Sequence, residues 1–206
     1  EDNQSIKYDI LANRLKNSEI AIFLGSNIPE QLTPKLANSF HAEGSFSEIC
    51  EYVELNNDYS RNTLRAKIQN LVKDETPLLE LLYDLLAELP FPIVIIYSGY
   101  DKLLETAFQN KGKKFAVISH SLDGNIVVKC SDKSEPEVCK NNDNLSALKL
   151  FENNDGYSLI YKINGCISSI PNVANQKDAL LLAEHDYFEF VKYMDKLIPN
   201  YVIGQL

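Results

Sequence analysis

The chain has 206 residues, 45% of them hydrophobic, with 8 glycines and 8 prolines; that is enough apolar material for one full core and excludes disordered and collagen-like classes. A net charge of −9 argues against a nucleic-acid surface, because phosphate binding rests on clustered Lys and Arg, and the short basic stretch 111–114 reads as a solvated helix end. No apolar run reaches the roughly 18 to 20 residues needed to cross a bilayer and no signal-peptide pattern opens the chain, so a cytoplasmic protein is expected.

In chain order, residues 8–16 have the period of an amphipathic helix carrying Ile10, Leu11 and Leu15. Residues 20–24 (IAIFL) read as a buried strand ending in Gly25-Ser26-Asn27-Ile28-Pro29, followed by a helix at about 34–40. Strand, glycine turn and helix resemble the first unit of a dinucleotide-binding fold, with Asn27 at the second position where a backbone would approach a pyrophosphate. Residues 44–89 are helical: Ser45 or Ser47 caps one helix through Val53, Ser60 starts another through Leu71, and Thr76-Pro77 opens a third with Leu78, Leu79, Leu82, Leu85, Leu86 and Leu89 on core-facing stripes.

The organising unit is residues 93–108. Residues 93–97 (IVIIY) are an unbroken β-branched run, the composition of a strand buried on both faces. The turn Ser98-Gly99-Tyr100-Asp101 leads into a helix with Leu103, Leu104, Ala107 and Phe108 on one stripe and Gly112 to stop it. In open α/β sheets ligands sit at the carboxyl ends of such strands, so 98–101 is the first place to look for chemistry. Asp101 reads first as a cap for that helix. Downstream, 115–120 and 125–130 flank the hairpin dipeptide Asp123-Gly124, 131–147 is a polar surface loop or insertion, 157–163 is a strand stopping at Asn164-Gly165, and 179–182 is a short strand before a helix over 184–198 that carries Tyr187, Val191, Met194 and Ile198. The alternation points to a layered α/β domain. His120, at a strand end, reads as a surface or hydrogen-bonded structural residue, with a catalytic role at the edge of 98–101 as the alternative, and Glu184-His185-Asp186 as helix-start chemistry.

The four cysteines match no zinc spacing. Cys50 reads as a small core residue, Cys166 follows a strand, and Cys130 and Cys139 are expected as thiols, with a loop-closing disulfide as the alternative.

Taken together, residues 23–36, then LPFPIVIIYSGYDKLLETAF (89–108), then Tyr161-Lys162-Ile163-Asn164-Gly165 with LLLAEHDY (180–187) resemble, in order and spacing, the sirtuin-like domains of prokaryotes. Tyr100, Asp101, Leu103, Leu104 and Glu105 match in register. The resemblance implies an α/β, Rossmann-like, mostly parallel sheet with helices on both faces and an inserted helical module at 44–89, in a single domain over 1–206. It also implies NAD at the carboxyl ends of the strands, held by Gly25, Ser26, Asn27, Ser98, Gly99, Tyr100, Asp101, Asn164 and Gly165. No metal is implied, since the paired-cysteine motifs of the zinc-bearing deacetylases are absent. The family's Asn and His, which orient ribose or water and take a proton, align with Gly99 and Asn164; glycine orients nothing, and a carboxamide is no general base near neutral pH. The expectation is a degenerate domain that senses a nucleotide or binds a partner within a longer prokaryotic protein, in the anti-phage defence setting that the resemblance implies. Its partners would then be other domains of the same chain or a second protein, not a membrane or a nucleic acid. The alternative is an active NAD glycohydrolase.

Overall fold

The computed structural model describes residues 3–17, 19–25, 28–56, 58–74, 80–120, 125–140, 156–166, 180–192, 194 and 198. The elements run α1 (Asn3–Lys16), β1 (Ala21–Leu24), α2 (Ile28–Phe40), α3 (Phe46–Leu55), α4 (Arg61–Asp74), α5 (Glu80–Glu88), β2 (Val94–Tyr97), α6 (Leu103–Asn110), β3 (Phe115–His120), β4 (Asn125–Cys130), β5 (Glu137–Lys140), β6 (Ser158–Lys162) and α7 (Glu184–Lys192).

The strands form one sheet in the order β1-β2-β6-β3-β4-β5. β1, β2, β6 and β3 are parallel neighbours, while β4 and β5 extend the sheet as an antiparallel meander. β2 is buried along its whole length, as its β-branched composition requires of a central strand covered on both sides. Alternation then sorts the side chains. Val94, Ile96, Leu159, Tyr161, Ala116 and Ile118 face one core, which Phe190 of α7 helps to cover; Ile93, Ile95, Tyr97, Ile160 and Phe115 face another, beneath α5 and α6. The result is the Rossmann-like layered fold expected.

A third core lies outside the sheet. α2, α3 and α4 bury Leu32, Leu36, Ile49, Val53, Leu64 and Ile68 together with Tyr100, Leu180, Leu182 and Ala183. α3 is held at its start by a capping box: Ser45 accepts from the Glu48 N–H, and Glu48 accepts from the Ser45 N–H at 2.7 Å. Of the helices predicted over 44–89, α3 and α4 build this module, whereas α5 packs on the sheet beside α6.

Several expectations are corrected. α2 begins at Ile28 and carries Pro34 inside it. Residues 137–140 of the supposed polar loop are β5, because they pair with β4. Residues 180–182 form no strand, since side chains take the Leu180 and Leu181 carbonyls and the Leu182 N–H, as described below. α1 and α5 are less buried than their stripes imply: Ile10, Leu11, Leu82 and Leu85 are exposed, and so are Val191 on α7 and Met194 beyond its end, while Asp186 and Phe190 of α7 face inward. Cys50, Cys130 and Cys166 are buried thiols, so the disulfide between Cys130 and Cys139 does not form. Thr76 and Pro77, the Asp123-Gly124 turn and residues 141–147 lie outside the described residues.

Candidate functional site

The carboxyl ends of β1, β2 and β6 meet at one edge. The Ser98 N–H donates to the Leu24 carbonyl at 3.1 Å, and the Ile163 N–H to the Tyr97 carbonyl at 3.1 Å. The Asn164 amide donates to the Ser98 carbonyl at 2.9 Å, and the Leu181 N–H reaches the Asn164 carbonyl at 3.2 Å. Gly165 turns the chain at φ 79°, a conformation that L side chains rarely adopt, with its N–H on the Lys162 carbonyl at 3.1 Å. Gly25 is exposed, and nothing lies within 4 Å of where its Cβ would stand. Gly25, Ser98, Gly99, Tyr100, Asp101, Asn164 and Gly165 therefore lie at this one edge; Ser26 and Asn27 lie outside the described residues.

Gly99 is buried against Tyr97. A methyl group at 99 would stand 2.3 Å from both Cζ and Oη of that ring, because residues two apart in extended chain share a side. The ring has little freedom to give way. Its hydroxyl donates to Asp101 Oδ2 at 2.7 Å, and since that uses its proton, the Tyr83 hydroxyl 3.0 Å away donates to it. Burial first, and the Asp101 charge next, push the Tyr97 phenol well above its ordinary pKa. Asp101 Oδ1 accepts from the Leu103 N–H at 2.9 Å; the N-cap of α6 is Lys102, without a side-chain cap bond, so Asp101 stands one residue before the cap expected of it, holding the first helical N–H and Tyr97 as well.

Beneath the turn lies a charge that sequence reasoning missed. Lys162 is fully buried; its Nζ donates to the Asp101 carbonyl at 2.6 Å and lies 4.3 Å from the centroid of the Tyr97 ring. Glu105 Oε2 stands 2.9 Å from it as an ion pair without hydrogen-bond directionality. A lone ammonium here would be costly to bury, and the carbonyl, carboxylate and ring together compensate it. The signal was a lysine at an inward position of the apolar run YSLIYKI, with Glu105 four residues after Asp101.

Tyr100 points away from this cluster. Its hydroxyl donates to the Leu181 carbonyl and lies 3.3 Å from that of Tyr187, while its ring stacks on Phe46. His120 sits at the same sheet edge but on the α7 face, 1% exposed, with Nδ1 3.2 Å from the Tyr161 hydroxyl and its ring against Phe190. Burial pulls its pKa down to about 4, which keeps the ring neutral near pH 7, and its Nε2 is buried without a hydrogen-bond partner.

These side chains are committed inward: Asp101 to Tyr97 and α6, Asn164 to the backbone of Ser98, Tyr100 to the helical module. Among the described residues of this edge, Gly25 is exposed and Ser98 and Asn164 are half-buried. Among the described residues, no group of three or more His, Cys, Asp and Glu side chains is placed to hold a metal ion, and no helix is long and apolar enough to cross a membrane.

No curated protein matches the sequence. The family profile for the SIR2-like domain matches residues 94–204, a span holding the 98–101 turn, the buried Lys162 and the Asn164-Gly165 corner but not the Gly25 turn. With the strand order, the converging strand ends and that match all in agreement, the chain belongs to the SIR2-like family.

Proposed function

We propose that this SIR2-like domain has kept the family's scaffold and given up hydrolysis, and that it acts as a nucleotide-sensing module in a larger prokaryotic protein, in the setting of phage defence. The observation that carries the reading is the pair Tyr97–Gly99: the position from which a polar side chain would orient a ribose is glycine, and the space beside it is taken by a phenol fixed through Asp101 and Tyr83. Cleaving nicotinamide from ribose builds positive charge on the sugar and calls for a group to orient it and a base to take a proton. Asn164 supplies no base, and one N–H of its amide is taken by the Ser98 carbonyl.

Calorimetric titration with NAD and with ADP-ribose tests the sensing role. Saturable binding of either, with the ligand recovered intact, supports it. A flat titration with both overturns it and leaves a scaffold whose partner is a protein.

A further inference from the structure

A cavity of about 400 Å³ opens between α6, the β3–β4 hairpin and the turn after β4. It exists because the sheet extends past the helix that covers it. Alternation turns Phe115, Val117 and Ser119 of β3 toward α6, while Ala116 and Ile118 face the opposite core. β4 lies one strand farther out, with Val127 opposite Ser119 and Lys129 opposite Val117. The Phe115 ring packs edge-on against Phe108 of α6 and closes the inner end; beyond it Val117, Ser119 and Val127 are only half-buried. Lys102, Glu105 and Gln109, along one face at the start and middle of α6, make the wall. Volume and mixed lining fall in the range of small-molecule sites.

The charges around this cleft balance. Lys102, Lys129, Lys133 and the buried Lys162 are matched in number by Glu105, Asp132, Glu135 and Glu137, so no net field favours an ion, and a charged head would give up its water there without compensation. Between them lie the apolar Phe115, Val117 and Val127, with Gln109 and Ser119 as uncharged polar groups. One group of the wall is short of donors. Glu105 is 8% exposed; Lys162 meets its Oε2 at 2.9 Å as an ion pair, yet that oxygen has no hydrogen-bond donor, in a carboxylate able to accept about four. An N–H presented from the cleft would supply one, and a bond to an ionised acceptor is stronger than one between neutral groups. We infer that this cleft binds an uncharged heteroaromatic ring that carries an N–H donor, with the ring over Val117 and Val127 and the N–H on the Glu105 carboxylate.

Methyl NMR on the 206-residue protein tests it, with 9-methyladenine as the donor-bearing ring and 6-dimethylamino-9-methylpurine as the same ring without an N–H. The expected result is a saturable shift of the Val117 and Val127 methyl signals by 9-methyladenine, with a Kd at or below about 1 mM, and binding of the dimethylamino ring about tenfold weaker, the effect of one bond to a charged acceptor. Glu105→Leu with Lys162→Met removes the buried pair as a unit and is expected to level the two affinities. Val127→Phe, which fills the cleft, is expected to abolish both, and the remaining methyl signals report that each variant is folded. No saturation with 9-methyladenine overturns the inference, as does saturation that leaves Val117 and Val127 unmoved, equal affinity for the two rings in the unsubstituted protein, or a preference that outlasts the loss of Glu105. Neither ring carries ribose or phosphate, so the outcome stands apart from the titrations with NAD and ADP-ribose.

Discussion

Gly99 is a glycine for want of room, and the absence of a positive φ there means that backbone strain plays no part. Gly99→Ala is therefore expected to cost about 1–3 kcal/mol, the range for overpacking a closed site, read from the urea midpoint. In a Tyr97→Val background the added methyl meets no ring, and its cost falls below about 0.5 kcal/mol; an equal cost in both backgrounds contradicts the steric reading. Tyr97→Phe keeps the ring but strips Asp101 Oδ2 and the Tyr83 hydroxyl of their shared partner, at a cost of about 1–3 kcal/mol for buried polar atoms left short. The departures at Gly99 and Asn164 were legible as residue types, because each lacks the chemistry its position asks for. Their cause was half legible: the alternation that puts 97 and 99 on one side is local, but Tyr83 and Lys162, which fix the ring, arrive from distant parts of the chain.

At the scale of elements, the segment after residue 179 joins the sheet to the helical module without forming a strand. The Leu180 carbonyl accepts from the Arg61 guanidinium, the Leu181 carbonyl from Tyr100 and Tyr187, and the Leu182 and Ala183 N–H groups donate to Asp186 Oδ2 at 2.9 and 3.0 Å. Those partners explain why an apolar run that reads as a strand is not one. Arg61 ties α4 to Glu54 at 2.6 Å and to Asp186 at 3.1 Å, so Arg61→Ala strands two largely buried carboxylates and is expected to cost about 3 kcal/mol, with the shift read by denaturant unfolding.

The same junction responds to pH through His185, whose Nδ1 is 2.6 Å from Glu51 and whose Nε2 faces Glu54 and Asp186. Partial burial pulls its pKa down, but the hydrogen bond to Glu51 and the charges of Asp186, Glu51 and Glu54 outweigh this and hold it above its ordinary 6.5. A raised folded-state pKa gives stability that is full below 6.5 and is lost as pH rises through the raised value. Burial likewise raises the Glu51 carboxyl, but its bonds to His185 outweigh that and hold it below 4.5; its contribution has the opposite sign, present above 4.5 and lost as pH falls through the lowered value. The urea midpoint is thus expected to drop between about pH 6 and about pH 8, and to drop less in His185→Ala. An unchanged slope in that variant removes His185 from the account.

For the whole molecule, the class of fold was readable from alternating β-branched runs and helical stripes, and the family from three short stretches around the strand ends. The strand order was not. β6 enters between β2 and β3, a pairing of segments some sixty residues apart in the chain (Val94 with Leu159), which local periodicity does not encode. Nor was the charge inside the sheet face legible as a network, since Lys162, Glu105 and Tyr97 become neighbours only once β2, α6 and β6 are assembled. The assembled picture is a SIR2-like scaffold in which Tyr97, Asp101 and Asn164 are bonded to neighbouring groups of the strand-end turns. Release of nicotinamide from NAD, followed by chromatography with the protein in its full-length assembly, tests that picture most directly. No release above the rate without protein is expected; turnover that Asp101→Asn or Asn164→Ala abolishes would contradict it.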